Sequence, residues 1–228
     1  MRRLIVALVL AAGLVPTPAT AQTTYRCFGE PADTVGTSGE DTLTGDVVVG
    51  LGGVDDLTGR LVCGGKGSDY DLTGTEAVDA GPGDERQINV RGPLGIGGPG
   101  NDKFFESSLP KKQVLRGGEG NDSWVPEGGV GELDVFYGGI GNDETDPEEG
   151  RFWNNTRQFG GEGNDSLHGD RGKDRLFGEA GDDFLTTADP APDNDNIEDL
   201  IDGGDGFDTC VIQAGDRAVN CEDVTVVT

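Results

Sequence analysis

Three aspartates, Asp165, Asp174 and Asp183, recur every nine residues in a stretch that starts at Gly160 and reads GGEGNDSLH, GDRGKDRLF, GEAGDDFLT. Each stands sixth in its unit, behind glycine or alanine at the turn positions and ahead of an apolar residue. A carboxylate repeated at fixed spacing is hard-cation chemistry. Where stacked turns also bring backbone carbonyls together, the shell is all oxygen and six- to eight-fold, which is the shell Ca²⁺ prefers. Aspartate holds the same place at Asp41 (GTSGEDTL), Asp55 (GLGGVDDL), Asp69 (GGKGSDYDL), Asp102 (GGPGNDKFF), Asp122 (GGEGNDSWV), Asp143 (GGIGNDETD) and Asp208 (GGDGFDTCV). A degenerate turn, AGPGDERQI, offers Asp84.

A six-residue turn followed by a three-residue strand, repeated, winds a chain into flattened coils with two half-turns per revolution. Glycine is required where the turn takes positive φ or passes close to the turn above. The apolar position, read here as Leu167, Leu176 and Phe184, points inward and fills the space between facing strands. These units resemble the haemolysin-type, or repeat-in-toxin (RTX), calcium-binding nonapeptide GGxGxDxUx, a repeat that builds a calcium-binding β-helix. The order of cysteine, GTxGxDxL, CGGxGxD, many GGxGND units and a closing GGxGxDxC…NCE is similar to secreted bacterial proteins of that kind. The resemblance implies an all-β, right-handed parallel β-roll or β-helix solenoid, an extracellular location, and several bound Ca²⁺ ions. Carried over position by position, it implies ligand roles for Asp41, Asp55, Asp69, Asp84, Asp102, Asp122, Asp143, Asp165, Asp174, Asp183 and Asp208.

The spacings describe the coils. Asp41, Asp55 and Asp69 lie fourteen apart, with only GDVVV (45–49) and GRLVC (59–63) between turns, so each early revolution pairs one long edge with one clipped edge. In the Gly64 unit Asp71 takes the apolar slot and Leu72 is shifted by one, which leaves its strand register open. From Asp102 the intervals are 20, 21, 22 and 18, one ideal revolution of eighteen plus insertions. The good turns therefore fall mainly along one edge. The other edge is swollen by Glu106 to Lys112, Glu127 to Asp134 and Asp146 to Thr156, and Asp174 is its one good turn. Ligands then stack about 4.8 Å apart, where two carboxylates repel by roughly 3 kcal/mol at an effective dielectric of 20. A divalent ion between turns reverses that sign and makes metal binding and folding one event.

Composition agrees. A formal charge of −26, from 43 acids against 17 bases, disfavours nucleic acid and anionic membranes as partners. Hydrophobic content of 33% with 41 glycines is too lean for a layered core, but a solenoid needs only a few inward side chains per coil. Residues 1–21 read as a secretory signal peptide, with Arg2 and Arg3, an apolar run from Leu4 to Val15, and Ala19-Thr20-Ala21 before Gln22. The mature domain is then 22–228, with full turns from about 36 to 211, and is expected to be monomeric. Secretion permits disulfides. Four cysteines allow three pairings, of which the local ones, Cys27–Cys63 and Cys210–Cys221, are expected to close the ends of the stack.

No CxxC spacing supports zinc, no HExxH supports a zinc protease, and the acidic run around Asp193 and Asp195 lacks the sixth-position glycine of an EF-hand. The expectation is a secreted, non-enzymatic Ca²⁺-binding protein in structure or attachment. The rival is a calcium-dependent polysaccharide-binding protein, or a lyase or epimerase on a parallel β-helix, taking cell-surface or extracellular glycan. Phe105, Trp124, Tyr137, Phe152 and Trp153 could cluster for glycan on the swollen edge, with Trp124 placed for the core and His168 in an exposed turn.

Overall fold

The computed structural model describes residues 24–106, 112–126, 130–145, 153–169, 171–188 and 197–227. The proposed signal peptide, Phe152, and the Asp193 and Asp195 run lie outside them, as do parts of the three swollen segments.

The chain forms a parallel β-solenoid with two faces. One face stacks Thr42–Thr44, Asp56–Lys66, Asp71–Asp79, Ile88–Val90, Lys103–Glu106, Ser123–Val125, Glu144–Thr145, Ser166–His168, Phe184–Thr186, Thr209–Gln213 and Asp223–Val227. The other stacks Thr34–Val35, Val47–Gly52, Leu94–Pro99, Val114–Glu119, Val130–Ile140, Trp153–Glu162, Arg175–Ala180, Leu200–Asp205 and Arg217–Val219. Asp56–Lys66 and Asp71–Asp79 belong to both, because the clipped edge of the early coils is too short to interrupt them. Every pairing between coils is parallel; Arg26–Cys27 against Glu30–Pro31 is antiparallel.

Period-two alternation points one residue per strand inward. On the first face these form a column through Leu43, Leu57, Leu72, Ile88, Phe104, Trp124 and Thr145, continued by Leu167, Leu185 and Cys210. It meets Val48, Val62, Val78, Leu115, Phe136, Leu176 and Ile201 from the second face. Each fully buried aliphatic or aromatic residue contributes about 1.5–3 kcal/mol, and two per coil suffice in this architecture. The core has a polar layer at one level. Thr145 Oγ1 donates to Gln158 Oε1, and Gln158 Nε2 donates to the carbonyl of His168, separating the apolar clusters on either side.

Two expectations are corrected here and one open register is settled. Phe184 is 40% exposed and Leu185, its neighbour, is the buried residue, because Leu185 is the one two positions after the aspartate. The shifted register of the Gly64 unit is absorbed by one extra residue, Tyr70, which is extruded to solvent so that Leu72 pairs with Leu57. Finally, the structure joins Cys27 to Cys63 and Cys210 to Cys221, but the first bridge does not close the stack's end. It holds the N-terminal hairpin against the outer side of the early coils, where Cys27 is buried with Val47, Val49, Leu61 and Ala77. The second bridge lies in the core of the last coils, under the parallel strand Asp223–Val227.

Candidate metal centre

The turns along the long edge place one carboxylate per coil in a single buried row. Its rungs are Asp41, Asp55, Asp69, Glu85, Asp102, Asp122, Asp143, Asp165, Asp183 and Asp208, with Glu222 beyond the last. Except between Asp69 and Glu85, they are joined by one repeated bond: from Asp55 on, the Oδ1 of each aspartate accepts the backbone N–H of the rung on the preceding coil, at 2.7–3.1 Å. At the far end Glu222 Oε2 accepts from the N–H of Asp208.

The other oxygen of the row is different. Oδ2 of Asp55, Asp69, Asp102, Asp122, Asp143, Asp165, Asp183 and Asp208 is buried and has no hydrogen-bond donor. It lies where the first glycine of its own repeat leaves room: a Cβ at Gly50, Gly64, Gly97, Gly117, Gly138, Gly160, Gly178 or Gly203 would strike it. At the start of the stack Asp41 is half-exposed, and its Oδ2 accepts from the N–H and Oγ1 of Thr37 instead.

In the AGPGDER turn the row is filled by Glu85, not by Asp84. Glu85 is 1% exposed, its N–H donates to Asp102 Oδ1, and neither of its own oxygens has a donor. Ala80 stands where other repeats have their first glycine, and it can carry a methyl because no aspartate follows five residues later. Asp84 belongs to an outer, exposed row. Asp84, Asn101, Asn121, Asn142, Asn164 and Asp182 each accept, through Oδ1, the N–H of the residue one coil further on. The asparagine of each GGxGND unit was the sequence signal for this second row.

The opposite edge has its own row, and Asp174 is in it. Asp174 Oδ1 accepts the N–H and Oγ1 of Thr156, Asp199 Oδ1 accepts from Asp174, Asp216 Oδ1 from Asp199, and Asp134 Oδ1 from Gln113. Of these rungs sequence reading singled out Asp174 alone, since Asp134, Asp199 and Asp216 sit in no glycine frame.

Burial, countered only in part by the backbone N–H bonds, pushes the row's carboxyls above the ordinary carboxylate range. Asp69, Asp143 and Asp183 rise to about 6, Asp165 to about 7 and Asp122 to about 8; Asp55, Asp102, Asp208 and Glu85 are raised as well. Neighbouring rungs add like-charge repulsion, as Asp102 and Asp143 do for Asp122. At neutral pH such a row needs protons or a cation.

Against that geometry stands one match. Residues 159–188 match the RTX calcium-binding nonapeptide repeat (4 copies). The RTX repeats thus sit on a parallel β-solenoid, and they imply Ca²⁺ as the ion. Together with the two disulfides, they suggest an extracellular protein. No curated protein and no solved structure matches the chain. The residues fit the ion: the orphaned Oδ2 atoms are buried acceptors without donors, and every donor atom in the row is oxygen. Among the described residues no group of three or more His, Cys, Asp or Glu side chains is placed to hold an ion by itself.

The residues considered for other roles are dispersed. Trp124 is in the core, stacked on Phe136 at 5.6 Å, and Phe105 lies on the first face under Lys103. Tyr137 is on the second face, stacked with Phe159 and Phe177. His168 ends a strand rather than lying in a turn, half-buried beside Ser166 and Phe184.

Proposed function

We propose that the protein is a secreted, calcium-stabilised β-roll with a structural or attachment role, whose ions are held between successive coils by Asp55, Asp69, Asp102, Asp122, Asp143, Asp165, Asp183 and Asp208. Asp41 and Glu85 end and interrupt the series, and Asp174 serves the opposite edge. The observation that carries this reading is the row of buried Oδ2 atoms without donors. Bound Ca²⁺ would supply the positive charge that those atoms lack, and the chain's own part is to fix them at coil spacing through the Oδ1 ladder. The repeats occupy the frame of the fold, and this supports a non-enzymatic role over catalysis.

The test is a Ca²⁺ titration of the disulfide-bonded chain followed by far-UV circular dichroism, with Mg²⁺ as control. Cooperative gain of β signal with Ca²⁺ and not with Mg²⁺ is expected. A spectrum indifferent to Ca²⁺, together with no heat of binding by calorimetry, would remove the proposal.

A further inference from the structure

On the outer side of the second face, Tyr137, Phe159 and Phe177 stand in register on three successive coils. Their rings stack face to face, centroids 4.9 Å apart at each step and planes within 9° of parallel. Such a stack has two end faces. The Tyr137 end is covered by the guanidinium of Arg116, one coil earlier in the same column, 5.0 Å from the ring centroid. At the other end the next residue in the column is Asp202, which has no ring. There Phe177 borders an open hollow of about 490 Å³, lined also by Glu179, Asp202, Gly204, Asp205 and Asn220.

Two of these residues carry backbone strain. Glu179 (φ 75°) and Asn220 (φ 50°) are two of the four non-glycine residues with positive φ among the described residues. Glu179 is the more telling, because its register partners on the neighbouring coils are Gly161 and Gly204. The column needs positive φ, and only at this coil is the hollow given a carboxylate in place of glycine, at a cost of order 1–3 kcal/mol. Asn220 in turn donates through Nδ2 to Asp202 Oδ1 at 2.7 Å, fixing that carboxylate beside the ring.

We propose that this hollow is a docking site for a basic side chain, an arginine or lysine presented by a partner protein. The cation lies over the open face of Phe177 as Arg116 lies over Tyr137, and Glu179, Asp202 and Asp205 complement its charge. The π face attracts a cation directly, and ringed carboxylates select it over a neutral or anionic group. Among the described residues, the cations on this side do not fill the role. Arg175 and Arg217 lie in the adjacent column and form no ion pair with Asp202. The proposal does not depend on the calcium reading.

The experiment uses the whole disulfide-bonded chain at saturating Ca²⁺ and 0.15 M salt, with N-acetyl-arginine methylamide as probe and amide NMR shifts as readout. Shifts confined to Phe177, Glu179, Gly204, Asp205 and Asn220 are expected, and none with the neutral N-acetyl-norleucine methylamide. Phe177→Leu should weaken binding roughly 2- to 30-fold, the span of a cation–π contact. Glu179→Gly returns the position to its column's residue, so the fold is kept or gains stability, while probe binding falls several-fold. Shifts spread over the acidic surface, an unchanged Kd in both variants, or shifts produced equally by a neutral methyl glycoside would overturn it.

Discussion

Removing calcium and then lowering the pH should refold this protein. In the folded chain the carboxyls of Asp69, Asp143 and Asp183 sit at about 6, Asp165 at about 7 and Asp122 at about 8, whereas an unfolded aspartate titrates near 3.9. A raised folded pKa means that the native state holds protons more tightly than the unfolded chain. Its stabilising contribution is full below about pH 4 and is lost as pH climbs from about 4 to about 8. At about 1.4 kcal/mol for each pKa unit, these five nearly inaccessible carboxyls together cost roughly 15–20 kcal/mol when ionised at neutral pH without a cation. That rivals the whole stability of an ordinary domain. In chelator at pH 7.5, then, the far-UV spectrum should lose its β signal. At pH 5, still above the isoelectric point near 4.1, the signal should return without metal. The apparent Ca²⁺ affinity should fall over the same window, since ion and proton compete for one oxygen. An equal or smaller β signal at pH 5 would refute the reasoning. So would full recovery at pH 7.5 in 1 M salt, which screens surface repulsion but not burial.

Asp122→Asn keeps the Oδ1 acceptor for the Asp102 N–H and removes one buried charge, so in chelator the melting temperature should rise while the Ca²⁺ midpoint moves to higher concentration. Gly120→Ala adds a Cβ at φ 129°, against the Gly100 carbonyl of the coil before it; a loss of about 1–3 kcal/mol in denaturant unfolding with Ca²⁺ present is expected. Trp124→Ala should cost about 3–5 kcal/mol in the same assay, as befits the largest fully buried side chain among the described residues. Replacing Cys27 and Cys63 together with serine should cost about 3–4 kcal/mol yet leave the Ca²⁺ midpoint nearly unchanged, because the hairpin they hold packs on the outer side of the sheet, where Cys27 meets Val47, Val49, Leu61 and Ala77.

Much of the site was legible because it is local. The run of GGxGND units fixes both rows of the long edge at once: aspartate for the buried one, asparagine for the exposed one. Reading stopped where the frame broke. Glu85 was passed over for Asp84 because Ala80 stands in place of the first glycine and glutamate in place of the sixth-position aspartate. Asp134, Asp199 and Asp216 were invisible for a related reason. They are held in the row of the opposite edge by the coils on either side, 17 to 25 residues away, and no turn motif marks them.

The sequence by itself determined that the chain coils, where each coil turns and which carboxylates recur, since glycine, aspartate and a single inward residue act within nine positions. Only the tertiary structure decided what those carboxylates face. Whether an oxygen is solvated, bonded to the next coil or left without a donor depends on the stacking of segments far apart in the chain, as does the hollow where the Tyr137, Phe159 and Phe177 stack ends. Burial is a property of the stack, and burial is what gives the row its need for a cation.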